Sequence, residues 1–90
     1  MTTGIITPRL NINGSSADDL IAPRRKAFDM IEDLLDALRA TTPSGRDYPG
    51  DNDQFMADRA IYFGRRSALR ELQTALLDEC IAIRKQNGEY

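Results

Sequence analysis

The chain has 90 residues with 12 basic and 14 acidic side chains, so its formal net charge at neutral pH is −2. This length supports one domain with a small hydrophobic core, and the near-neutral charge argues against a general nucleic-acid binder. The chain has no histidine and one cysteine, Cys80. These counts exclude zinc sites of the usual kind, His-based relays and an intramolecular disulfide, and a reducing cytoplasm is the expected location.

Residues 1–14 contain little charge and are predicted to form an extended amino-terminal arm. Asparagine alternates with Leu10 and Ile12, and the pair Asn13-Gly14 that follows is turn-prone. Two alternatives stay open: the arm packs on the helices of its own chain or frays, or it reaches across to a neighbouring subunit. No charged start precedes a long apolar run, so neither a signal peptide nor a membrane span is predicted.

A first helix is predicted from about residue 16 to about residue 40, because apolar residues recur there every three or four positions. These residues are Leu20, Ala27, Ile31, Leu34 and Leu38, with Ile21, Phe28 and Leu35 beside them. Ser16 can cap the first turn, where the helix dipole favours the charges of Asp18 and Asp19. Pro23 removes one backbone hydrogen bond, so we expect either a kink there or a short first helix followed by the main one.

Residues 41–52 are predicted to break the helix and reverse the chain. Pro43 cannot continue a helix, and Gly45 can take the positive φ that closes a reversal. Asp51 can cap the next helix by accepting a hydrogen bond from the amide of Gln54. The Gln54 side chain can reach back to the Asp51 amide, which would complete a capping box.

A second, longer helix is predicted from about residue 52 to about residue 87. Its apolar stripe comprises Phe55, Tyr62, Leu69, Leu72, Leu76, Cys80 and Ile83. Gly64 interrupts the run at a cost of roughly 1 kcal/mol against alanine, so it marks either a bend or a close approach of another backbone. Asn87-Gly88 is expected to end the helix. The predicted fold is therefore all-α, an antiparallel helical hairpin of residues 15–90 preceded by the arm.

The relative position of the two helices is predicted from their shared loop. If residues 40 and 52 lie level, facing residues have numbers that sum to about 92, and Leu20 lies near Leu72. The end of the second helix then overhangs the first. Its uncovered apolar residues are Leu77, Ile81 and Ile83. Either the arm or a second copy of the chain must cover them, so we predict a homo-oligomer.

The same register gathers six basic residues in one belt across both helices. They are Arg24, Arg25 and Lys26 on the first helix and Arg65, Arg66 and Arg70 on the second. Guanidinium groups bind phosphate in a bidentate way, and Tyr62 or Tyr48 can stack on a base. Alternatively, the arginines pair with acids such as Asp29, Asp58 or Glu71 and lay their stems over the core.

Two further candidate sites lie in the loop and on the first helix. In the loop, Arg46 and Tyr48 form either a ligand or partner contact or part of a self-contained turn. Four acids at spacings of three and four line one face of the first helix. They are Asp29, Glu32, Asp33 and Asp36. A solvated face is their expected role, because calcium-loop geometry is missing and nothing places a second group across a pocket for hydrolysis.

Two stretches of the sequence resemble a group of short proteins found in tailed bacteriophages and prophages. They are Leu10-Asn11-Ile12-Asn13-Gly14-Ser15-Ser16 and Thr42-Pro43-Ser44-Gly45-Arg46-Asp47-Tyr48, each followed by a helix. The resemblance covers most of the chain and implies the cytoplasm of an infected bacterium, but no activity. It also implies an uninterrupted first helix, from which Pro23 departs. By analogy of class, some small helical phage proteins are oligomeric sponges for cyclic nucleotide immune signals.

The leading hypothesis is a homo-oligomeric, non-enzymatic protein that sequesters a nucleotide-like immune signal, with the belt holding phosphate. The alternative is an interaction module that inhibits a host defence protein, in the manner of an anti-CRISPR, through the acidic face. No catalytic constellation is found, so neither an enzyme nor a cofactor or metal is expected. Charge reversal at Arg66 is expected to abolish only the first function, and neutralising Asp33 and Asp36 only the second.

Overall fold

The computed structural model describes residues 4–11 and 14–88, and these contain two long helices and no strand. Helix α1 (Ala17–Leu38) has 22 residues, and helix α2 (Asn52–Gln86) has 35 residues. The two helices pack against each other in antiparallel orientation. The predicted all-α hairpin is confirmed. Part of the predicted extended pattern, Ile12 and Asn13, lies outside the described residues.

Helix α1 begins with the predicted cap. The Ser16 hydroxyl accepts a hydrogen bond from the backbone N–H of Asp19 at 3.1 Å. The helix then continues through Pro23 and is not divided into two helices there. It ends at Leu38, where a single 3₁₀ turn, Arg39–Thr41, follows. A proline early in a 22-residue helix removes one hydrogen bond, and the bonds and packing of the remaining turns keep the helix intact.

The connection between the helices follows the first turns of α2 instead of reversing tightly. After a second 3₁₀ turn, Gly45–Asp47, the ring of Tyr48 lies 5.6 Å from the ring of Phe55. The Tyr48 hydroxyl donates to a carboxylate oxygen of Asp58 at 2.7 Å. These contacts tie the connection to α2 over nearly two helical turns.

The start of α2 has half of the predicted capping box. The Asp51 side chain accepts from the backbone N–H of Gln54 at 3.0 Å, as predicted. The prediction of the reciprocal bond from Gln54 to Asp51 is wrong. The Gln54 amide donates to Asp58 at 2.7 Å, and the Asp51 N–H is bonded to the carbonyl of Tyr48. The prediction of a positive φ at Gly45 is also wrong.

The positive φ of the connection belongs instead to Gly50, with a value of 75°. Gly45 starts a 3₁₀ turn, whose residues have negative φ, and the sharp change of direction falls directly before α2. At the other end of α2, Asn87 forms the cap and Gly88 has a φ of 78°, so the predicted end of this helix is confirmed.

The helices pair in a different register from the predicted one. Arg66 donates to the carbonyl of Leu35 at 2.9 Å, and Arg70 donates to Glu32 at 2.7 Å. Facing residues therefore have numbers that sum to about 102 instead of 92. The reason is that the connection occupies the first turns of α2, so α1 meets α2 only from about Tyr62 onwards.

The shifted register covers the end of α2 that was expected to overhang. A core cluster forms there between the two helices and the arm. It comprises Ala17, Ile21, Cys80 and Ile83, with Leu10 and Leu20 packed against it. Of the residues expected to be uncovered, Ile83 is fully buried, Ile81 is half-buried, and Leu77 alone is exposed. The predicted overhang of α2 is therefore wrong, and it gives no reason to expect a second copy of the chain there.

The arm packs along the last turns of α2 in its own chain. The N–H of Ile6 donates to a carboxylate oxygen of Glu79 at 3.0 Å. The N–H of Leu10 donates to the side chain of Gln86 at 2.9 Å, and the Gln86 amide donates to the carbonyl of Pro8 at 2.7 Å. Of the two alternatives for the arm, this arrangement corresponds to the first.

Gly64 allows the cost of a glycine inside α2 to be measured. Among the described residues, no atom outside the surrounding helix backbone lies within 4 Å of the position that its Cβ would occupy, and α2 is continuous there. Of the two predicted reasons for the glycine, a close approach of another backbone is therefore not found in this part of the chain. We expect Gly64→Ala to raise the free energy of unfolding by about 1 kcal/mol, measured by urea denaturation.

The matched control is the exposed Ala60, one turn earlier in α2. Ala60→Gly should lower the free energy of unfolding by a similar amount, because glycine loses more conformational freedom in a helix. A Gly64→Ala variant that is less stable than the wild-type protein would contradict this prediction.

Candidate functional site

The structure separates the six basic residues of the predicted belt. Arg66 lies level with Leu35 on α1. Arg24 lies eleven residues before Leu35, which corresponds to about 16 Å along the helix axis. The register that would have placed these arginines side by side is wrong, so each of them has to be described in its own surroundings.

Arg66 supports the end of α1. Its Nη1 donates to the carbonyl of Leu35 at 2.9 Å, one of the last-turn carbonyls that have no partner inside the helix. Its guanidinium lies over the ring of Tyr62 at 5.9 Å. The side-chain interaction with Thr42, followed by the hydrogen bond with Arg66, lowers the pKa of Tyr62. Because Tyr62 is buried, its ring is not available to stack on a ligand.

Arg70 belongs to a polar cluster that ties α1 to α2. It donates to Glu32 at 2.7 Å and to the side chain of Gln73 at 2.8 Å. The buried Gln73 amide donates in turn to Glu32 at 2.9 Å and to the carbonyl of Phe28 at 3.2 Å. The hydrogen bond from Gln73, followed by that from Arg70, lowers the pKa of Glu32. Glu32, one of the four acids on α1, is therefore bound by side chains of α2.

This cluster predicts a pH dependence of stability. Because folding lowers the pKa of Glu32 from its usual value of 4.5, the bonds stabilise the folded chain above that value. Their contribution is lost as the pH falls through the folded pKa. We expect Glu32→Gln to lower Tm at neutral pH, and the difference from the wild-type Tm to shrink as the solution is acidified. Asp33→Asn, at an exposed acid on the same helix, is the control and should show little change. A Tm difference that is constant with pH would contradict the assignment.

The predicted loop site is a packed turn. Tyr48 is half-buried against Phe55, and the hydrogen bond from its hydroxyl to Asp58 raises the pKa of Tyr48. The Tyr48 ring packs within the connection. Of the two alternatives for the loop, this arrangement corresponds to the self-contained turn. Three other predicted site residues are exposed and lie on different elements. Arg46 lies on the second 3₁₀ turn, Lys26 on α1 and Arg65 on α2.

Arg24 forms a buried ion pair with Glu79. Its Nε donates to Glu79 Oε1 at 2.8 Å, and its Nη1 donates to the carbonyl of Leu20 at 2.8 Å. Glu79 is only 4% exposed, and its second oxygen accepts the N–H of Ile6 from the arm. Among the described residues, Arg24 therefore pairs with Glu79 and Arg70 pairs with Glu32. The expected partners Asp29, Asp58 and Glu71 form no ion pair with either of these two arginines.

A groove of about 330 Å³ lies between the first half of α1 and the last half of α2. Three arginines line it, Arg24 and Arg25 from α1 and Arg84 from α2, together with one acid, Asp29. Its apolar lining residues are Ile21, Phe28, Leu76, Leu77, Cys80 and Ile81. A groove of this volume is at the lower end of the range for small-molecule sites. It combines guanidinium donors with apolar surface, as a site for an amphipathic anion requires.

The groove contains two of the predicted site residues, Arg24 and Arg25. The residues that surround them differ from the predicted neighbours. Phe28 and Arg84 were not predicted to belong to a site, because the assumed register placed Arg84 beyond the end of α1. Arg24 uses two of the five N–H donors of its guanidinium in bonds within the chain, which leaves donors for a further acceptor.

Within the described residues, no group of His, Cys, Asp and Glu side chains is arranged to hold a metal ion. Neither helix in this part of the chain has the combination of length and apolar character that a membrane crossing needs. Comparison of the chain with protein-family models, curated proteins and solved structures finds no match. The groove and the exposed surfaces are therefore the features of the molecule that bear on its function.

Proposed function

We propose that the protein is a non-enzymatic binding protein that holds a small anionic ligand with a flat apolar part, such as a nucleotide, in the groove between α1 and α2. The observation that carries the proposal is the convergence of Arg24, Arg25 and Arg84 around a largely apolar wall. Arg24 is paired with Glu79 but keeps unused N–H donors, and Arg25 is the exposed guanidinium of the lining. Guanidinium donors beside an apolar wall favour an anion over a cation.

The lining residues divide the recognition of such a ligand between two kinds of contact. Arginine forks bind phosphate oxygens in a bidentate way. Phe28 offers an aromatic ring, the side chain on which bases stack with little sequence preference. In this proposal Phe28 takes the role that was expected of Tyr62 or Tyr48, both of which are engaged inside the fold.

Binding without turnover suits a protein that sequesters a signal. A protein that holds a nucleotide-like immune signal lowers its free concentration by mass action, and it needs no catalytic group to do so. The analogy of class with small helical phage sponges suggested this role, which is now assigned to the groove and not to the belt.

The test is a binding measurement with a defined set of probes. Isothermal titration with a mononucleotide, a cyclic dinucleotide, ADP-ribose and inorganic phosphate should give saturable binding of at least one nucleotide and much weaker binding of phosphate alone. Arg25→Glu should weaken nucleotide binding at least tenfold, which is about 1.4 kcal/mol. Arg46→Glu, at an exposed arginine of the connection outside the groove, is the control and should bind like the wild-type protein.

Two results would overturn this function. One is the failure of all the nucleotides to bind; the other is equal weakening of binding by Arg25→Glu and Arg46→Glu. Native mass spectrometry of the protein isolated from cells with a nucleotide-signalling defence would then identify a retained ligand directly, as a releasable mass on the intact protein. Arg66, suggested by the sequence as the site of charge reversal, is unsuitable because its bond to Leu35 stabilises the fold.

A protein-interaction module remains the second candidate, since part of the acidic face is exposed. Asp29, Asp33 and Asp36 are exposed on α1, whereas Glu32 is engaged by Arg70. An exposed acidic helix face suits a basic protein partner. Neutralising Asp33 and Asp36 together should abolish inhibition of a defence protein in this case, whereas Arg25→Glu should preserve it.

A further inference from the structure

The arm and the groove lie at the same end of the hairpin, on opposite sides of α2. The arm is bonded to Glu79, whereas Leu77, two residues earlier, lines the groove. At about 100° per residue, these two side chains point about 160° apart around the helix axis. The described part of the arm therefore does not cover the groove, and an influence of one on the other has to pass through the residues between them.

One link between the arm and the groove is the carboxylate of Glu79. Its Oε2 accepts the N–H of Ile6 from the arm at 3.0 Å, and its Oε1 accepts the Nε–H of Arg24 at 2.8 Å. Arg24 is also a lining residue of the groove. Since Glu79 is only 4% exposed, one buried side chain joins a backbone N–H of the arm to a guanidinium of the groove.

A second link is the core cluster that the arm and the groove share. Ile21 and Cys80 line the groove, and both belong to the cluster against which Leu10 of the arm packs. The N–H of Leu10 is bonded to the side chain of Gln86, which fixes the arm at this point. Because close-packed side chains have little room to move independently, loss of the arm from the cluster would also affect the groove wall.

The bonds of Arg24 determine the direction of the coupling. The guanidinium gives one N–H to Glu79 and one to the carbonyl of Leu20, and it keeps further donors for an anion. An anion that displaced Glu79 instead would leave a buried carboxylate without its cation, which is unfavourable. The anion is therefore expected to bind while the pair stays intact. A guanidinium already held in place binds more tightly than one that has to be ordered.

We propose that docking of the arm and binding of an anion in the groove stabilise each other. This inference rests on the proposed function of the groove, and it assigns the regulation of that site to the arm. With the arm docked, Glu79 holds Arg24 in place for the ligand; with the ligand bound, Arg24 holds Glu79 in place for the arm. Thermodynamic linkage requires the two effects to be equal, and couplings of this kind are roughly 5- to 150-fold.

The first test is isothermal titration of Ile6→Pro with a mononucleotide, a cyclic dinucleotide and ADP-ribose. Proline has no N–H, so this variant removes the bond to Glu79 and leaves every lining residue of the groove unchanged. Its affinity for each nucleotide that the wild-type protein binds should fall at least about fivefold. Ile5→Pro is the matched control, because it places the same ring one residue earlier and keeps the Ile6 N–H. It should bind like the wild-type protein.

The reciprocal measurement is amide hydrogen exchange of the wild-type protein with and without the same nucleotide. Saturating nucleotide should slow the exchange of the Ile6 and Leu10 N–H groups at least about fivefold. The N–H of Asp51, which is bonded to Tyr48 in the connection, is the control and should exchange at an unchanged rate. If Ile6→Pro bound weakly only because it folded less well, the nucleotide would not protect the arm selectively.

The outcomes separate this inference from the proposed function. Equal affinities of Ile6→Pro and Ile5→Pro for a nucleotide that binds the wild-type protein would overturn the coupling and leave the proposed function intact. Tighter binding by Ile6→Pro, or faster exchange of the Ile6 N–H with nucleotide present, would show that arm and ligand compete, and would also overturn it. Failure of every nucleotide to bind would overturn the proposed function itself.

Discussion

Replacing Arg24 by alanine is expected to lower the free energy of unfolding by about 3–5 kcal/mol, because it leaves the carboxylate of Glu79 buried without its cation. Glu79 is only 4% exposed, and its Oε1 lies 2.8 Å from the guanidinium, which is its one cationic partner among the described residues. A domain of this size has a total stability of about 5–15 kcal/mol, so the variant is expected to be partly unfolded under ordinary conditions. The arm should also loosen, because Ile6 is bonded to the same carboxylate.

Urea denaturation of Arg24→Ala beside Arg25→Ala measures this effect. Arg25 is the next residue, is exposed, and has the same side chain, so its replacement should change the free energy of unfolding by no more than about 0.5 kcal/mol. Replacing Arg24 and Glu79 together by methionine should recover much of the loss, since a buried ion pair can be exchanged for apolar residues at little cost. A loss below about 1 kcal/mol in Arg24→Ala would show that Glu79 has another partner.

Replacing Ile83 by alanine is expected to lower the free energy of unfolding by about 2–5 kcal/mol, through lost apolar burial and the cavity left behind. Ile83 is fully buried in the cluster where α1 and α2 meet near the arm, beside Ile21 and Cys80. In the register predicted from the sequence, Ile83 would project beyond α1. The same substitution would then cost far less, so the measurement also distinguishes the two registers.

The control for this measurement is Leu77→Ala, two turns earlier on α2. Leu77 is 51% exposed, so its truncation should lower the free energy of unfolding by less than about 1 kcal/mol. Equal losses in the two variants would contradict the position of α1 over the end of α2. Both free energies can be taken from the same urea titrations, provided that the slopes agree with that of the wild-type protein.

The features that sequence reasoning predicted correctly depend on residues close together in the chain. Ser16 caps α1 through Asp19, three residues away, and Asp51 caps α2 through Gln54 at the same spacing. The apolar periodicity of α2 is likewise a local pattern, as is the stop at Gly88. Local hydrogen bonds and helical periodicity determine where a helix begins and ends, so these features could be predicted without the rest of the fold.

The candidate site depends on contacts between distant residues, and it was predicted only in part. Arg24 and Arg25 were predicted as members of the belt and line the groove, whereas Arg84 and Phe28 were not among the predicted site residues. An amphipathic stripe repeats every three or four residues, so one helix can slide along another by whole turns and still bury its apolar side. Periodicity therefore cannot choose between a register sum of about 92 and one of about 102.

By itself, the sequence determined that this chain is a two-helix hairpin without the histidine or cysteine pairs of common catalytic and zinc sites. The tertiary structure alone decided the register, and with it the pairing of Arg24 with Glu79 and the lining of the groove. The physical reason is the path of the connection. Because Tyr48 binds Asp58 along the first turns of α2, α1 is displaced toward the far end of that helix and meets the arm there.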